Sequence, residues 1–172
     1  MPRVQALIVA IDCFTAATGR ALAWLLVIMA VFTALVVVLR YGFDIGSIAI
    51  QEAVIYLHGA LFTLGAAYTL QRDGHVRVDI FYRKFSPRAR AWVNSLGGIV
   101  FLLPLCAVIF GISWNYVAES WAVRETSPEP GGIPAVFLLK SLLPLMAANL
   151  FLQGLAEILR SMAALIQTEE AR

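Results

Sequence analysis

Nineteen consecutive residues, Ala21 to Leu39, carry no charge. Wound as an α-helix they are about 28 Å long, enough for the hydrocarbon core of a bilayer. Three more apolar blocks follow, and together they predict spans over approximately 21–40, 48–70, 91–117 and 133–159. The chain is 60% hydrophobic and only 14% charged, against about 25% charged in soluble domains. Its apolar residues come in blocks near bilayer length, not in amphipathic stripes. The expected architecture is an all-α integral membrane protein: one membrane domain over residues 1–172, with four transmembrane helices and a short amphipathic interfacial helix after the second.

The stretch between the second and third blocks fixes orientation. Six of the thirteen Lys and Arg residues lie there: Arg72, Arg77, Arg83, Lys84, Arg88 and Arg90. Four spans put both termini on one side of the membrane. That side then gathers Arg3, Arg20, the central six, Arg160 and Arg172, ten in all, against Arg40, Arg124 and Lys140 on the other. The positive-inside rule places the termini and the central loop in the cytoplasm. Cationic side chains beside apolar spans suit anionic headgroups, so Arg83, Lys84, Arg88 and Arg90 are expected on lipid phosphate. No zinc-finger spacing or aromatic–basic interleaving points to nucleic acid.

Local signals divide the chain further. Residues 1–20 follow helical spacing through Val4, Leu7, Ile8, Ile11 and Phe14. They predict either a helix at the interface or one running straight into the first span; Asp12 in the apolar run argues against a cleaved signal peptide. Asp73-Gly74 stops the second span, with Gly74 suited to a left-handed cap. Val78, Phe81, Tyr82 and Phe85 share one face of a cationic segment suited to the headgroup region. Ser86-Pro87 reads as an N-cap followed by proline at the first helical position. Pro104 predicts a kink in the third span. Residues 119–134 form the longest polar connection, and the tail after Arg160 continues as a frayed helix. Cys13 and Cys106, far apart in apolar surroundings, read as buried thiols without a disulfide.

Ionisable and polar groups inside spans mark candidate sites. His58 lies mid-span, but His75 is seventeen residues away, about 25 Å along a helix, so the two cannot share one haem within a monomer. A histidine hydrogen-bonded between helices is the simpler reading. Glu52, Tyr56, Gly59 and Thr63 make a polar, small-residue face that favours close helix packing. Asn149 and Gln153, four apart on the fourth span, suit hydrogen bonds to a neighbouring helix. No catalytic motif, metal cluster or cofactor loop is present, so an enzyme is not expected. A membrane anchor for a redox enzyme, with haem, is the alternative to a non-catalytic transport subunit.

Two runs carry a resemblance. Gly65-Ala66-Ala67-Tyr68-Thr69-Leu70, followed by Asp73-Gly74-His75-Val76-Arg77-Val78-Asp79, resembles the signature of the small (Q, DctQ-type) membrane subunit of tripartite ATP-independent periplasmic (TRAP) transporters. Glu52, at the start of the second span, and Glu119-Ser120 with Gly131-Gly132-Ile133-Pro134 are similar to further elements of that family. Positions where many members carry arginine and tryptophan are Ile55 and Ala60 here. The resemblance implies a four-span subunit without catalysis that enlarges the stationary scaffold of a sodium-coupled organic-acid importer. Its implied partners are a large membrane subunit carrying the sodium and substrate sites, and a periplasmic substrate-binding protein. Glu52, Tyr56, Gly59, Thr63, Gly74, His75, Arg77, Asp79, Glu119, Asn149 and Gln153 are then the candidates for assembly contacts.

Overall fold

The computed structural model of the chain describes residues 2–76 and 79–170, with side chains over residues 3–76 and 80–166. In chain order the elements are α1 (Pro2–Gly42), α2 (Ile48–Gln71), α3 (Asp79–Tyr82), α4 (Pro87–Gly97), a π segment (Gly98–Leu102), α5 (Leu103–Ala122) and α6 (Val136–Glu170). Among the described residues, four helical stretches are long and apolar enough to cross a membrane: α1, α2, the run from Pro87 to Ala122, and α6.

Of these, α2 fits a bilayer most closely. Its 24 residues make about 36 Å of helix, against a hydrocarbon core of about 30 Å. Both ends are fixed by local interactions. The Ser47 hydroxyl accepts the Ile50 N–H at 3.4 Å, satisfying one of the free donors of the first turn. At the other end, the Gly74 N–H donates to Thr69 O at 2.9 Å and the Asp73 N–H to Leu70 O at 3.0 Å. This is a Schellman turn, but its left-handed residue is Asp73, at φ 55°, not Gly74 as the sequence suggested. Aspartate tolerates that region better than most residues. Glycine at 74 serves a different end: a Cβ there would stand 3.1 Å from the Thr69 methyl.

The other long helices overshoot the bilayer. α1 has 41 residues, about 61 Å, and is unbroken, so residues 2–20 lead straight into the first span. The Gln71 amide donates to the Asp12 carbonyl at 2.8 Å, which sets Asp12 level with the end of α2 and leaves residues 2–11 beyond it. α6 likewise continues through Glu170. It starts at Val136, three residues later than expected, because residues 133–135 belong to the folded loop before it.

Proline shapes the third span. Pro104 has no N–H to donate to the Val100 carbonyl, and the backbone adapts through the π segment, where the Leu103 N–H bonds Gly98 O. The helix is thus rewound by one residue at this point. The start of α4 is as the sequence predicts: Ser86 accepts the Ala89 N–H at 3.3 Å with Pro87 in the first turn.

α6 lies at the centre of the bundle, against α1, α2, α4 and α5. Small residues allow this, with Ala147 and Ala156 almost wholly buried. A Cβ on Gly154 would stand 2.7 Å from Leu102, and one on Gly98 would stand 2.5 Å from Ile158. These two contacts set the register. α4 therefore runs beside the part of α6 beyond Ile158, at the same end as residues 2–11 of α1. Cys13 is exposed on α1 and Cys106 buried on α5, both as free thiols.

Candidate functional site

Polar side chains gather at the two ends of the bundle. At the loop-bearing end of α5 and α6, the Glu52 carboxylate accepts hydrogen bonds from the Ser127 hydroxyl and from the Ile133 N–H at 2.6 Å. Each glycine before Ile133 has its own reason. Gly131 adopts φ +80°, open to glycine at little cost. Gly132 admits the carboxylate, since a Cβ there would lie 2.8 Å from Glu52 Oε1 and closer still to Ser127. One glutamate on α2 thereby holds the loop between α5 and α6.

A second carboxylate closes the same loop. Glu125 accepts from Lys140 Nζ at 2.5 Å and from the Ser120 hydroxyl at 2.6 Å. The Lys140 hydrogen bond, then that of Ser120, hold the Glu125 carboxyl below its ordinary value. Arg124, left-handed at φ 49°, lies over the rings of Trp121 and Phe137. The Trp121 indole N–H reaches the Ser141 hydroxyl at 2.8 Å. Glu119 is exposed on the last turn of α5.

At the opposite end, Asp12 joins three helices. Its carboxylate accepts from Arg160 Nη2 at 2.6 Å and from the Gln153 amide at 3.1 Å. Arg160 Nη1 also donates to Glu157 at 2.6 Å, and Gln153 to Glu157 at 3.3 Å. Gln153 and Thr15, one turn after Asp12 on α1, are fully buried. Asp12 was visible in the sequence only as an interruption of an apolar run. Its pairing with Arg160 could have been sought, because an even number of spans puts both residues at one end.

The two faces expected to meet a partner are engaged within the chain. Gly59 faces Leu139 and Leu142 of α6, and the Thr63 hydroxyl donates to its own helix at Gly59 O, 2.7 Å away. The Tyr56 hydroxyl is buried with no partner among the described residues. Asn149 donates to the Leu64 carbonyl of α2 at 3.3 Å, and Gln153 to Asp12. His58, expected between helices, is instead exposed on the outer side of α2, its ring stacked on Phe62 at 6.2 Å.

In the central loop, His75 Nε2 lies 3.1 Å from the Ala66 carbonyl, folding back over the end of α2. Arg77 lies outside the described residues, as does the side chain of Asp79. The segment expected at the interface contains one helical turn, α3, with Ile80 and Phe81 strongly exposed. Tyr82 leaves that apolar face, its hydroxyl donating to Asn94 at 3.1 Å. Arg90 donates to the Arg83 carbonyl at 2.8 Å and lies over the Tyr82 ring, tying this turn to α4. Arg83 and Lys84 are exposed, and Arg88 is half-buried.

Along the outside, α5 and α6 enclose an open apolar groove. It comprises two adjoining hollows of about 430 Å³ and 360 Å³ that share Phe110 and Ala148. Its lining is almost wholly hydrocarbon, and the charged clusters lie at the ends of the bundle.

These features define a class: a helical protein with four candidate membrane-spanning helices, whose polar side chains chiefly bind its own helices to one another. The chain belongs to the family described as "Tripartite ATP-independent periplasmic transporters, DctQ component", which it matches over residues 28–164. It is also 32% identical over 90 residues to a Haemophilus influenzae protein whose name is that of a TRAP transporter small permease. That match covers 52% of this chain and 55% of the relative, so the aligned region spans about half the relative's length. No solved structure matches the chain.

Proposed function

We propose that this chain is the stationary small subunit of a sodium-coupled TRAP importer of organic acids. It sits in the bacterial inner membrane, associates with a large membrane subunit that carries the sodium and carboxylate sites, and receives substrate through a periplasmic binding protein. It has no catalysis of its own. The observation that supports this reading is the use made of Glu52, Asn149, Gln153, Asp12 and Arg160. Each engages another helix or loop of the same chain, as a scaffold requires. A conducting subunit would instead turn such groups toward a pathway. Glu52, Tyr56, Gly59, Thr63, Asn149 and Gln153 thus serve assembly by fixing the body that the large subunit meets. Gly74, His75, Arg77, Asp79 and Glu119 contact partners at the bundle ends, and Arg83, Lys84, Arg88 and Arg90 hold anionic headgroups.

Uptake by proteoliposomes containing the complete complex tests the division of labour. Asn149→Leu loses one hydrogen bond, worth about 0.6 kcal/mol on average inside membranes. Its expected effect is a slightly lower yield of complex, with sodium and substrate dependence unchanged. A shifted sodium dependence in an intact complex would put Asn149 on the ion path and sink the scaffold reading.

The cationic count supports termini and central loop in the cytoplasm. Single cysteines replacing Lys84 and Glu125, in a chain freed of Cys13 and Cys106, can be probed with an impermeant thiol reagent on intact spheroplasts. Position 125 should label and position 84 should not. The reverse pattern would invert the topology.

A further inference from the structure

One face of α2 has no partner among the described residues, and it carries a polar group at the wrong depth for lipid. Gln51, Ile55, His58, Phe62 and Gly65 recur at alternating steps of four and three, the 3.5-residue seam of two helices packed side by side. Ile55 is 60% and Phe62 74% exposed; Gln51 and His58 are also exposed. A Cβ on Gly65 would meet nothing within 4 Å. The seam lies apart from the contacts made by Gly59 with α6 and by Tyr68 with α1.

His58 sits ten residues after Ile48 and thirteen before Gln71, about 15 Å and 20 Å from the two ends. An imidazole cannot snorkel that far. Phe62 covers one side of its ring, and none of the described residues gives it a hydrogen bond. Acyl chains offer no donor or acceptor, so leaving the ring against lipid is costly. A neighbouring helix can supply the missing bond, and Gly65 lets its backbone come close.

We propose that this stripe is the docking face for one transmembrane helix of the large subunit, a helix that presents a hydrogen-bonding side chain level with His58. The proposal rests on the scaffold reading above, in which this chain is one component of a multi-subunit transporter. A second copy is the less apt occupant, since two imidazoles facing across a two-fold axis can bond only if one donates and the other accepts, which breaks the symmetry.

The test is co-purification of the large subunit with a tagged small subunit, both expressed together, with a photo-crosslinking residue placed at Phe62. Gly65→Leu and His58→Leu should each lower the recovered large subunit about threefold or more, the effect of one interhelical contact in a membrane. His58→Gln should retain it, and Gly111→Leu, on α5, should change nothing. The Phe62 probe should crosslink to the large subunit. None of these side chains is needed for the fold of the small subunit, which thermal unfolding of that subunit alone can verify. A crosslink to a second copy, no crosslink in an intact complex, or losses confined to Gly111→Leu would overturn the docking face and leave the scaffold reading standing. If the unaltered small subunit holds no large subunit at all, the scaffold reading falls, and the docking face with it.

Discussion

Gly19→Leu should be among the most damaging single changes in this protein, lowering stability by about 3 kcal/mol or more. Gly19 is buried on α1, directly against Tyr68 of α2. An added Cβ would overlap the Tyr68 ring and stand 2.8 Å from its Cβ. The ring could rotate away, but the Tyr68 Cβ is fixed to the backbone, so the two helices would have to move apart. In a bilayer that separation is costly, because helices are held by close packing and not by exclusion from water. Thermal unfolding in detergent, followed by helical signal or by retention of a single elution peak, should show the loss clearly. Gly19→Ala should fall between the two. Gly42→Ala, where an added Cβ meets nothing within 4 Å, should be neutral. Combining Gly19→Leu with Tyr68→Gly should recover part of the loss, since that change removes the fixed Cβ as well as the ring. A Gly19→Leu protein as stable as its parent would mean that α1 and α2 do not meet here.

Asp12→Leu should come next. It removes the carboxylate that accepts from both Arg160 and the fully buried Gln153. Breaking a buried ion pair costs about 3–5 kcal/mol because the remaining charge is stranded. Here the Asp12 and Arg160 side chains are 28% and 43% exposed, so solvent screens the stranded group and the expected loss is about 2 kcal/mol. Arg160→Leu should cost about as much, because it strands the Asp12 and Glu157 carboxylates that share this cation, whereas Asp12→Leu leaves Arg160 paired with Glu157. The double variant should be less damaged than the sum of the two singles. Denaturant or thermal unfolding of the four proteins supplies the cycle. Strict additivity would show that the 2.6 Å contact does not couple α1 to α6.

How much of this was legible beforehand depends on how far each interaction reaches along the chain. α2 was expected over Ile48–Leu70 and runs Ile48–Gln71, because its ends are set by contacts within four or five residues. The Ser86-Pro87 start of α4 was legible for the same reason. Gly74 was seen as part of a stop signal, but composition could not say which of two adjacent residues takes the left-handed position. Residues 1–20 left two readings open, since a helical stripe looks alike whether it ends at the interface or continues. Length alone could not settle this, as α1 is about twice the bilayer thickness.

The sequence by itself determined four apolar helices, their approximate limits and the uneven spread of positive charge, because bilayer thickness and backbone hydrogen bonding act on any chain of this pattern. It also marked Glu52, Gly59, Asn149 and Gln153 as places where helices meet. Only the tertiary structure decided what they meet. A small or polar residue favours close approach by any helix, so the same face suits α6 or a separate subunit equally well until the bundle is assembled. Assembly turned those residues toward α6, Leu64, Asp12 and the 127–133 loop, and left His58 outside. The pairing of Asp12 with Arg160 was hidden for the same physical reason: 148 positions separate them, and only the return of α6, antiparallel to α1, brings the two charges within 2.6 Å.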